Sequence, residues 1–386
     1  MIKKITITIV LIGLILTILF VGYTKYIDLS TAQANALHAV PTNSALIIKS
    51  ENWTKSWIEL ENSTICKKIT TSKKWNAIKT KLKNIEHIIS QSESLKMMLK
   101  KQDFYLSLHS SKKDYDLLLA TSLSNSNVLQ LLTDNFIKDD LKTRTYDGIS
   151  IYQLANSSWS FSIHKGIVFF SSSPLLVEHS IRQLNNKLSL TDNLAFQKVH
   201  QTESNFADAH IYINYTELAK LLAENSEIIR SKKTQIERWA EWAELDLKIK
   251  KNSFLLSGFT LARDSSDIFL NTLNGQVPQK IIMDAIIPSN TYQMSILGVS
   301  DFKLYYEKYK EFLAKHNNLY EHKKWIQEQN TNYNINLENI FSAFIGNQIG
   351  QISTFTASGN TEYFTLINST EESVSMLNHI NKSIIK

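Results

Sequence analysis

The chain has 386 residues, 43% of them hydrophobic, and a formal net charge of +6. Its one cysteine, Cys66, excludes an internal disulfide bond and a zinc site built from four thiolates. The positive charge is carried overwhelmingly by lysine. Because recognition of phosphates and bases relies on arginine forks, we expect no nucleic acid partner.

An uncharged, apolar run over residues 5–21 follows directly behind two lysines. A helix of this length, at about 1.5 Å per residue, is at the short end of what crosses a bilayer. The preceding lysines favour an amino terminus that stays in the cytoplasm. We therefore predict a cytoplasmic segment at 1–4, a transmembrane signal-anchor helix at 5–22 and a polar stalk at 23–37.

Anchoring through Ile5–Val21 makes the lipid bilayer the first partner of this protein. It places the chain in the inner (cytoplasmic) membrane as a single-pass protein, with the carboxyl-terminal region on the periplasmic, extracytoplasmic side. A cleaved signal peptide begins in the same way and is the alternative. The first small-residue cleavage pattern is Ala32–Ala34, about a dozen residues beyond the apolar run, which favours an anchor that stays attached.

The first part of the exported region combines strands with a helix. Residues 45–48 are typical of a short buried strand. β-rich runs at 104–109 and 115–120, separated by a polar turn, predict a hairpin. Between this strand and the hairpin, apolar residues at spacings of three and four predict a helix. They are Trp75, Ile78, Leu82, Ile85 and Ile89.

The middle of the chain repeats this mixture. We predict a helix over about 125–136 and a second hairpin formed by 159–163 and 167–170. A further helix opens at Pro174, because proline is well tolerated in the first turn. Residues 209–213 are typical of another strand.

A long helix is predicted over about 218–245, with four apolar residues at a spacing of three on one face. Strands at 247–249 and 254–261 then pair around a polar turn. Strands in hairpins mixed with helices, without a regular strand–helix–strand order, indicate an α+β fold. We therefore expect antiparallel or mixed sheets with packed helices behind the transmembrane helix.

Two stretches of the chain resemble two later stretches at nearly one offset, which predicts an internal duplication. The segment around Pro41 resembles the segment around Pro288, an offset of 288 − 41 = 247. The run containing Asp116 resembles the run containing Glu362, an offset of 362 − 116 = 246.

The second copy stops early, at the point where the first copy continues into its second β region. Either the chain is a shortened relative of a longer protein, or the duplicated unit is only about the first hundred residues. We predict a first α+β unit at 38–284 and a partial second copy at 285–386. Strands left without their partners expose unpaired edges. We therefore expect the last hundred or so residues to dock on the first copy or on another chain.

The repeated pattern also carries a resemblance to a known family. Pro41 and Pro288 each lie between apolar residues and a predicted strand, which an aromatic-rich helix follows. With Leu256-Ser257-Gly258 and Ser300-Asp301-Phe302, this resembles an exported bacterial family catalogued as domain of unknown function 3352. The resemblance spans most of 36–378 and implies an amino-terminal membrane anchor. The family brings no established activity and no catalytic residues.

Glycine-containing motifs of common enzyme classes do not occur in the sequence, and its four S-x-x-K strings lack the companion motifs of a serine–lysine enzyme. None of the ten glycines belongs to G-x-G-x-x-G or to a phosphate-binding loop, and no G-x-S-x-G elbow is present. We therefore predict no catalytic residues and no cofactor.

One group of residues has the side chains that metals prefer: His200, Glu203, Asp208 and His210. His200 and Glu203 share a helical face if their segment is helical, and His210 begins a strand. Zinc requires three or four such ligands that converge. Scattered polar residues around a loop are the alternative, which we favour, so no metal is predicted.

Trp239 and Trp242 are candidates for anchoring a partner or ligand, because tryptophan dominates binding hot spots. Packing in the hydrophobic core is the alternative explanation for both. The sequence as a whole favours a non-catalytic binding or scaffold protein of the cell envelope, with an envelope protein or a cell-wall component as partner. An envelope hydrolase with a site around 200–210, and a chaperone or transport accessory for apolar ligands, are the alternatives.

Overall fold

The computed structural model describes residues 35–69, 76, 79–80, 102–111, 114–122, 141–154, 159–263, 267–355 and 361–369. Several predictions fall outside these ranges: the cytoplasmic segment, the signal-anchor helix, all but the end of the stalk, the apolar stripe at 75–89 and the helix at 125–136. Within the described ranges, no helix combines the length and the apolar character needed to cross a bilayer.

The chain divides into two compact units. The first comprises Met1–Glu237 and Glu241–Leu261, and the second comprises Arg238–Ala240 and Ala262–Lys386. The predicted boundary between residues 284 and 285 therefore lies inside the second unit.

The first unit is built on a ten-stranded sheet whose neighbouring strands are all antiparallel. Its strands are β1 Leu46–Ser50, β2 Phe104–Ser111, β3 Asp114–Ser122, β4 Leu141–Tyr146, β5 Ile149–Leu154, β6 Ser160–His164, β7 Ile167–Ser171, β8 Ala209–Asn214, β9 Trp242–Ile249 and β10 Phe254–Leu261. Their order is β10-β9-β8-β1-β2-β3-β7-β6-β5-β4. The predicted α+β class is confirmed.

Helices complete the first unit: α1 Trp53–Asn62, α2 Thr64–Ile69, α3 Pro174–Asn185, α4 Leu194–His200, α5 Tyr215–Asn225, α6 Glu227–Arg230 and α7 Lys233–Glu237. Short 3-10 helices occur at Ala36–Ala39 and Leu190–Asp192. The periodicity of the apolar residues explains why α3 forms: its buried positions recur on one face, and Pro174 occupies the first turn.

Apolar side chains cover both faces of the sheet, because successive residues of a strand point to opposite sides. In β3, Leu118 and Ala120 join the core under α3 and α4, whereas Leu117 and Leu119 join a second core. Trp57 of α1 belongs to that second core. A continuous apolar run is therefore what a strand buried on both faces requires.

The predicted hairpins at 104–120, 159–170 and 247–261 are confirmed by β2–β3, β6–β7 and β9–β10. The turn between β6 and β7 places Lys165 at φ 50° and Gly166 at φ 73°. Positive φ at both central residues suits the right-handed twist of the flanking strands, and glycine adopts it without strain.

The long helix predicted over 218–245 is wrong. The chain forms α5, α6 and α7 instead, and Trp242 begins β9. Every second residue from Ala243 to Ile249 is apolar, and Trp242 and Leu245 also continue the spacing of three used for the prediction. Pairing of β9 with β8 and β10 decided between the two patterns.

The second unit contains a three-stranded antiparallel sheet in the order β11-β12-β13. Its strands are β11 Thr291–Gly298, β12 Ile345–Phe355 and β13 Thr361–Ser369. Its helices are α8 Phe302–Lys315, α9 Leu319–Tyr333 and α10 Leu337–Phe344, with 3-10 helices at Phe269–Leu273 and Met283–Ile286. Aromatic rings stack along α8. One example is Tyr305 on Tyr309, whose ring centroids are 6.1 Å apart.

Elements of the two units recur at the offset found in the sequence. The 3-10 helices at Ala36–Ala39 and Met283–Ile286 differ by 283 − 36 = 247 residues. Strands β3 and β13 differ by 361 − 114 = 247 residues. In both units a 3-10 helix, a strand, helices and an antiparallel hairpin follow in the same order.

Candidate functional site

A row of polar side chains crosses three neighbouring strands of the first unit. Lys49 of β1 lies directly opposite His210 of β8, and His210 lies directly opposite Asp246 of β9. Because directly opposite residues of an antiparallel pair project from the same face, these three side chains are neighbours. Lys49 and His210 are buried.

Glu244 adds a second carboxylate to this row, since it lies two residues before Asp246 on the same face of β9. His210 Nδ1 is 3.2 Å from Glu244 Oε1 and 2.9 Å from Asp246 Oδ1. Glu244 is 0% exposed, which is costly for a carboxylate unless it is paired. Two carboxylate oxygens thus converge on one imidazole nitrogen, an arrangement that can hold a proton or a cation.

The segment after α4 closes over this row. Lys49 Nζ donates a hydrogen bond of 2.7 Å to Glu203 Oε2. His200 Nδ1 lies 2.7 Å from Glu203 Oε1 and 2.8 Å from the Tyr212 hydroxyl. Glu203 therefore joins β1 to the end of α4 through its two oxygens.

Two further donors hold the carboxylates of β9. The Thr202 hydroxyl donates to Glu244 Oε2 at 3.2 Å, and the Ser204 amide donates to Asp246 Oδ1 at 3.1 Å. Helix α4 is itself held on the sheet, because the Phe196 ring packs against Trp242 with ring centroids 5.1 Å apart. The loop after α4 is thus attached both by apolar packing and by hydrogen bonds.

The environment shifts two pKa values in this network. Burial is the largest influence on the pKa of Glu203 and raises it, but hydrogen bonds from His200 and Lys49 outweigh burial and lower the pKa overall. Burial lowers the pKa of His210, but its hydrogen bond with Glu244 and the charge of Glu203 outweigh burial and raise the pKa. The network therefore stabilises negative charge on Glu203 and positive charge at the position of His210.

A cleft of about 200 Å³ opens beside this network. Its lining is mostly polar and includes Glu51, Lys55, Ser204, Asp208 and His210. A cleft of this size accommodates a few water molecules or a small ion, and it is below the usual range for drug-sized ligands.

The structure brings three of the four metal-like candidates, His200, Glu203 and His210, into one network. Asp208 borders the same cleft, but its carboxylate accepts hydrogen bonds from Lys248 Nζ at 3.2 Å and from the Ile249 amide at 2.9 Å. Among the described residues, the one group able to hold a metal ion is a different set: His210, Glu244 and Asp246.

Sequence reasoning missed Lys49, Glu244 and Asp246. The polar residues of 242–249 occupy alternate positions, which is the signal of a strand with one polar face. The predicted long helix concealed that signal. No local sequence pattern predicts the contact between Lys49 and Glu203, because the two residues are 154 positions apart in the chain.

The two tryptophan candidates have different environments. Trp242 is 3% exposed and belongs to the core under α4, as its packing explanation requires. Trp239 is 43% exposed and stacks on Phe269 within the second unit, with ring centroids 4.9 Å apart. Of the two, only Trp239 has a surface that a partner can reach.

Comparison of the chain with models of known families, with curated proteins and with solved structures found no match. The resemblance to the exported family of unknown function therefore stays a prediction.

Proposed function

We propose that this protein is a single-pass, membrane-anchored, extracytoplasmic protein that binds or scaffolds another protein of the cell envelope without catalysing a reaction. Support for its location is the uncharged run at 5–21 behind two lysines. Support for binding is the three-stranded sheet of the second unit, whose outer strands pair only with β12 among the described residues.

In chain order, β11, β12 and β13 of the second sheet correspond to β1, β2 and β3 of the ten-stranded sheet. In the first unit, β1 pairs with β8 and β3 pairs with β7. Within the part of the chain that the structure describes, neither β11 nor β13 pairs with a strand other than β12. On our interpretation the second unit duplicates β1–β3, and among the described residues its outer strands β11 and β13 have no neighbour like β8 or β7.

The unpaired edges carry exposed aromatic side chains. On β13, Tyr363 is 69% exposed and Phe364 is 45% exposed. At the other edge of the sheet, the ring of Tyr292 on β11 stacks on the ring of Phe355 on the neighbouring β12, with ring centroids 4.2 Å apart. Both side chains are about half exposed. An edge strand with unpaired backbone groups and exposed apolar side chains accepts an extended segment from another chain. We infer that the partner supplies such a strand.

The network around His210 supports a structural role more than a catalytic one. Its charged groups face one another, as in the pairs Lys49–Glu203 and Lys248–Asp208. The single hydrogen of the Thr202 hydroxyl is shared between the Val199 carbonyl at 2.7 Å and Glu244 at 3.2 Å. Contacts of this kind hold strands and loop together.

Site-specific photo-crosslinking in intact cells tests the binding proposal. A photoreactive residue is placed at Tyr363 of the full-length chain, and in the control at Tyr320, which is 73% exposed but lies on α9 of the same unit. We expect a discrete adduct with an envelope protein from position 363 and none from position 320.

Lysine variants make the test specific, because edge lysines oppose strand addition. Phe364→Lys should abolish the adduct formed from position 363, whereas Tyr320→Lys should leave it unchanged. The absence of any adduct, an adduct insensitive to Phe364→Lys, or an adduct of two copies of this chain would each overturn the proposal.

A further inference from the structure

We propose that His210, Glu244 and Asp246 form a binding site for one divalent transition-metal ion of the zinc type, which fastens β8 to β9. The ligand atoms of these three residues all lie within 4.8 Å of one another. This inference is independent of the binding function proposed above.

Two of the three distances between the ligand atoms match a coordination shell, and the third is within 4.8 Å. An ion about 2.0–2.2 Å from each nitrogen and oxygen ligand separates neighbouring ligands by about 3–3.5 Å. His210 Nδ1 is 3.2 Å from Glu244 Oε1 and 2.9 Å from Asp246 Oδ1. An ion can therefore enter between these atoms with only small movements of the side chains.

The charges favour a divalent ion. Glu244 and Asp246 contribute two negative charges, and the Glu244 side chain is 0% exposed. Lys49, which lies directly opposite His210, forms an ion pair with Glu203 at 2.7 Å. A divalent ion bound to these two carboxylates and a neutral imidazole makes the group neutral, which removes the cost of burying the carboxylates.

The surroundings of the three residues resemble those that orient metal ligands. Ligating carboxylates are usually held by hydrogen bonds from a second layer of donors. The Thr202 hydroxyl and the Ser204 amide provide such bonds to Glu244 and Asp246. His210 and Ser204 also line the polar cleft, which gives an ion and water a route to the site.

The set of ligands indicates the class of metal. Imidazole nitrogen suits zinc and other first-row transition metals, whereas sites for Mg²⁺ and Ca²⁺ are built of oxygen alone. The ion would link β8 to β9. It would also stabilise the loop after α4, because Thr202 and Ser204 of that loop hydrogen-bond to the ligands.

Zinc binding by the purified full-length chain in detergent tests this inference. After removal of metals with a chelator, the chain is titrated with Zn²⁺, and the bound metal is counted by elemental analysis. We expect one ion per chain and a higher melting temperature with zinc, because an ion that binds only the folded state stabilises it. Co²⁺ in place of zinc should give a visible absorption band from nitrogen and oxygen ligands.

Variants identify the ligands. His210→Ala and Asp246→Asn should each weaken zinc binding by more than about tenfold and remove the zinc-dependent rise in melting temperature. His200→Gln is the matched control, because His200 belongs to the same network but not to the three ligands. It should retain zinc binding.

Circular dichroism without metal establishes that each variant is folded, and Glu244→Gln replaces any variant that is not. The inference is overturned if the natural chain binds no zinc at micromolar concentration. It is equally overturned if folded His210→Ala and Asp246→Asn chains bind zinc as the natural chain does, or if His200→Gln abolishes binding.

Discussion

Gly258 of β10 packs against the backbone of Glu244 on β9 so closely that a Cβ atom at Gly258 would overlap the Glu244 carbonyl oxygen. Gly258 pairs with Leu245, the residue between the buried Glu244 and the partly buried Asp246 of β9. The backbone of β10 thus lies very close to the backbone of β9 at the position that carries the carboxylates of the polar network. Only glycine permits this approach without a shift of one strand.

We therefore expect Gly258→Ala to lower the free energy of unfolding by about 1–3 kcal/mol, the usual cost of overpacking. Ser257→Ala is the matched control, because Ser257 is the preceding residue of β10 and is exposed. The control should change stability by less than about 0.5 kcal/mol. Chemical denaturation followed by circular dichroism measures both, and equal stabilities of the two variants would contradict the prediction.

The two candidate tryptophans should differ in their contribution to stability. Trp242→Ala should cost about 3–5 kcal/mol, since it leaves a cavity beside Phe196 in the core of the first unit. Trp239→Ala should cost at most about 1.5 kcal/mol, because it removes a half-exposed ring stacked on Phe269. Thermal and chemical denaturation compare the two, and a larger loss for Trp239→Ala would show that the assignment to core and surface is reversed.

His109 should make stability fall in acid. Its ring is 1% exposed, and Nε2 lies 2.9 Å from the Ser107 hydroxyl. Burial, aided by the charge of His179 and opposed by a backbone hydrogen bond at Asn43, lowers the pKa of His109 from 6.5 to about 3. In the unfolded chain His109 is therefore protonated below about pH 6.5, whereas in the folded chain it is protonated only below about pH 3.

It follows that the contribution of His109 to stability is complete above pH 6.5 and is lost as the pH falls toward 3, by about 1.4 kcal/mol per pH unit. His109→Gln removes this titration. The free energy of unfolding measured from pH 7 to pH 4 should decline less steeply for the variant than for the natural chain, by about that slope. Parallel declines would rule out the buried neutral histidine.

The anchor makes a separate prediction. Ile12 lies at the middle of the uncharged run, where a lysine costs about 3 kcal/mol of insertion free energy. Ile12→Lys should move the chain from the membrane fraction toward the soluble fraction after alkaline washing, whereas Thr8→Ala should leave it in the membrane. Recovery of the intact natural chain, with its first residues attached, from the soluble fraction would contradict the anchor.

The hairpins and the helix at Pro174 could be predicted because their signals are local. Alternation along β6 and β7 and the turn at Lys165-Gly166 lie within a dozen or so residues. The segment 242–249 satisfied two periodicities at once, and its own residues could not decide between them. Its neighbours β8 and β10 did, through hydrogen bonds that a helix cannot make.

The site follows the same division. By itself the sequence determined the class of the fold and the positions of most strands of the large sheet. The repeat at an offset of about 247 stays a prediction. The shared helical face considered for His200 and Glu203 does not exist, because α4 ends at His200. Only the tertiary structure decided that Lys49, His210 and Asp246 are neighbours, because their proximity depends on strand order and register. Periodicity is a property of adjacent residues, whereas register is set by burying one face of every strand against a common core.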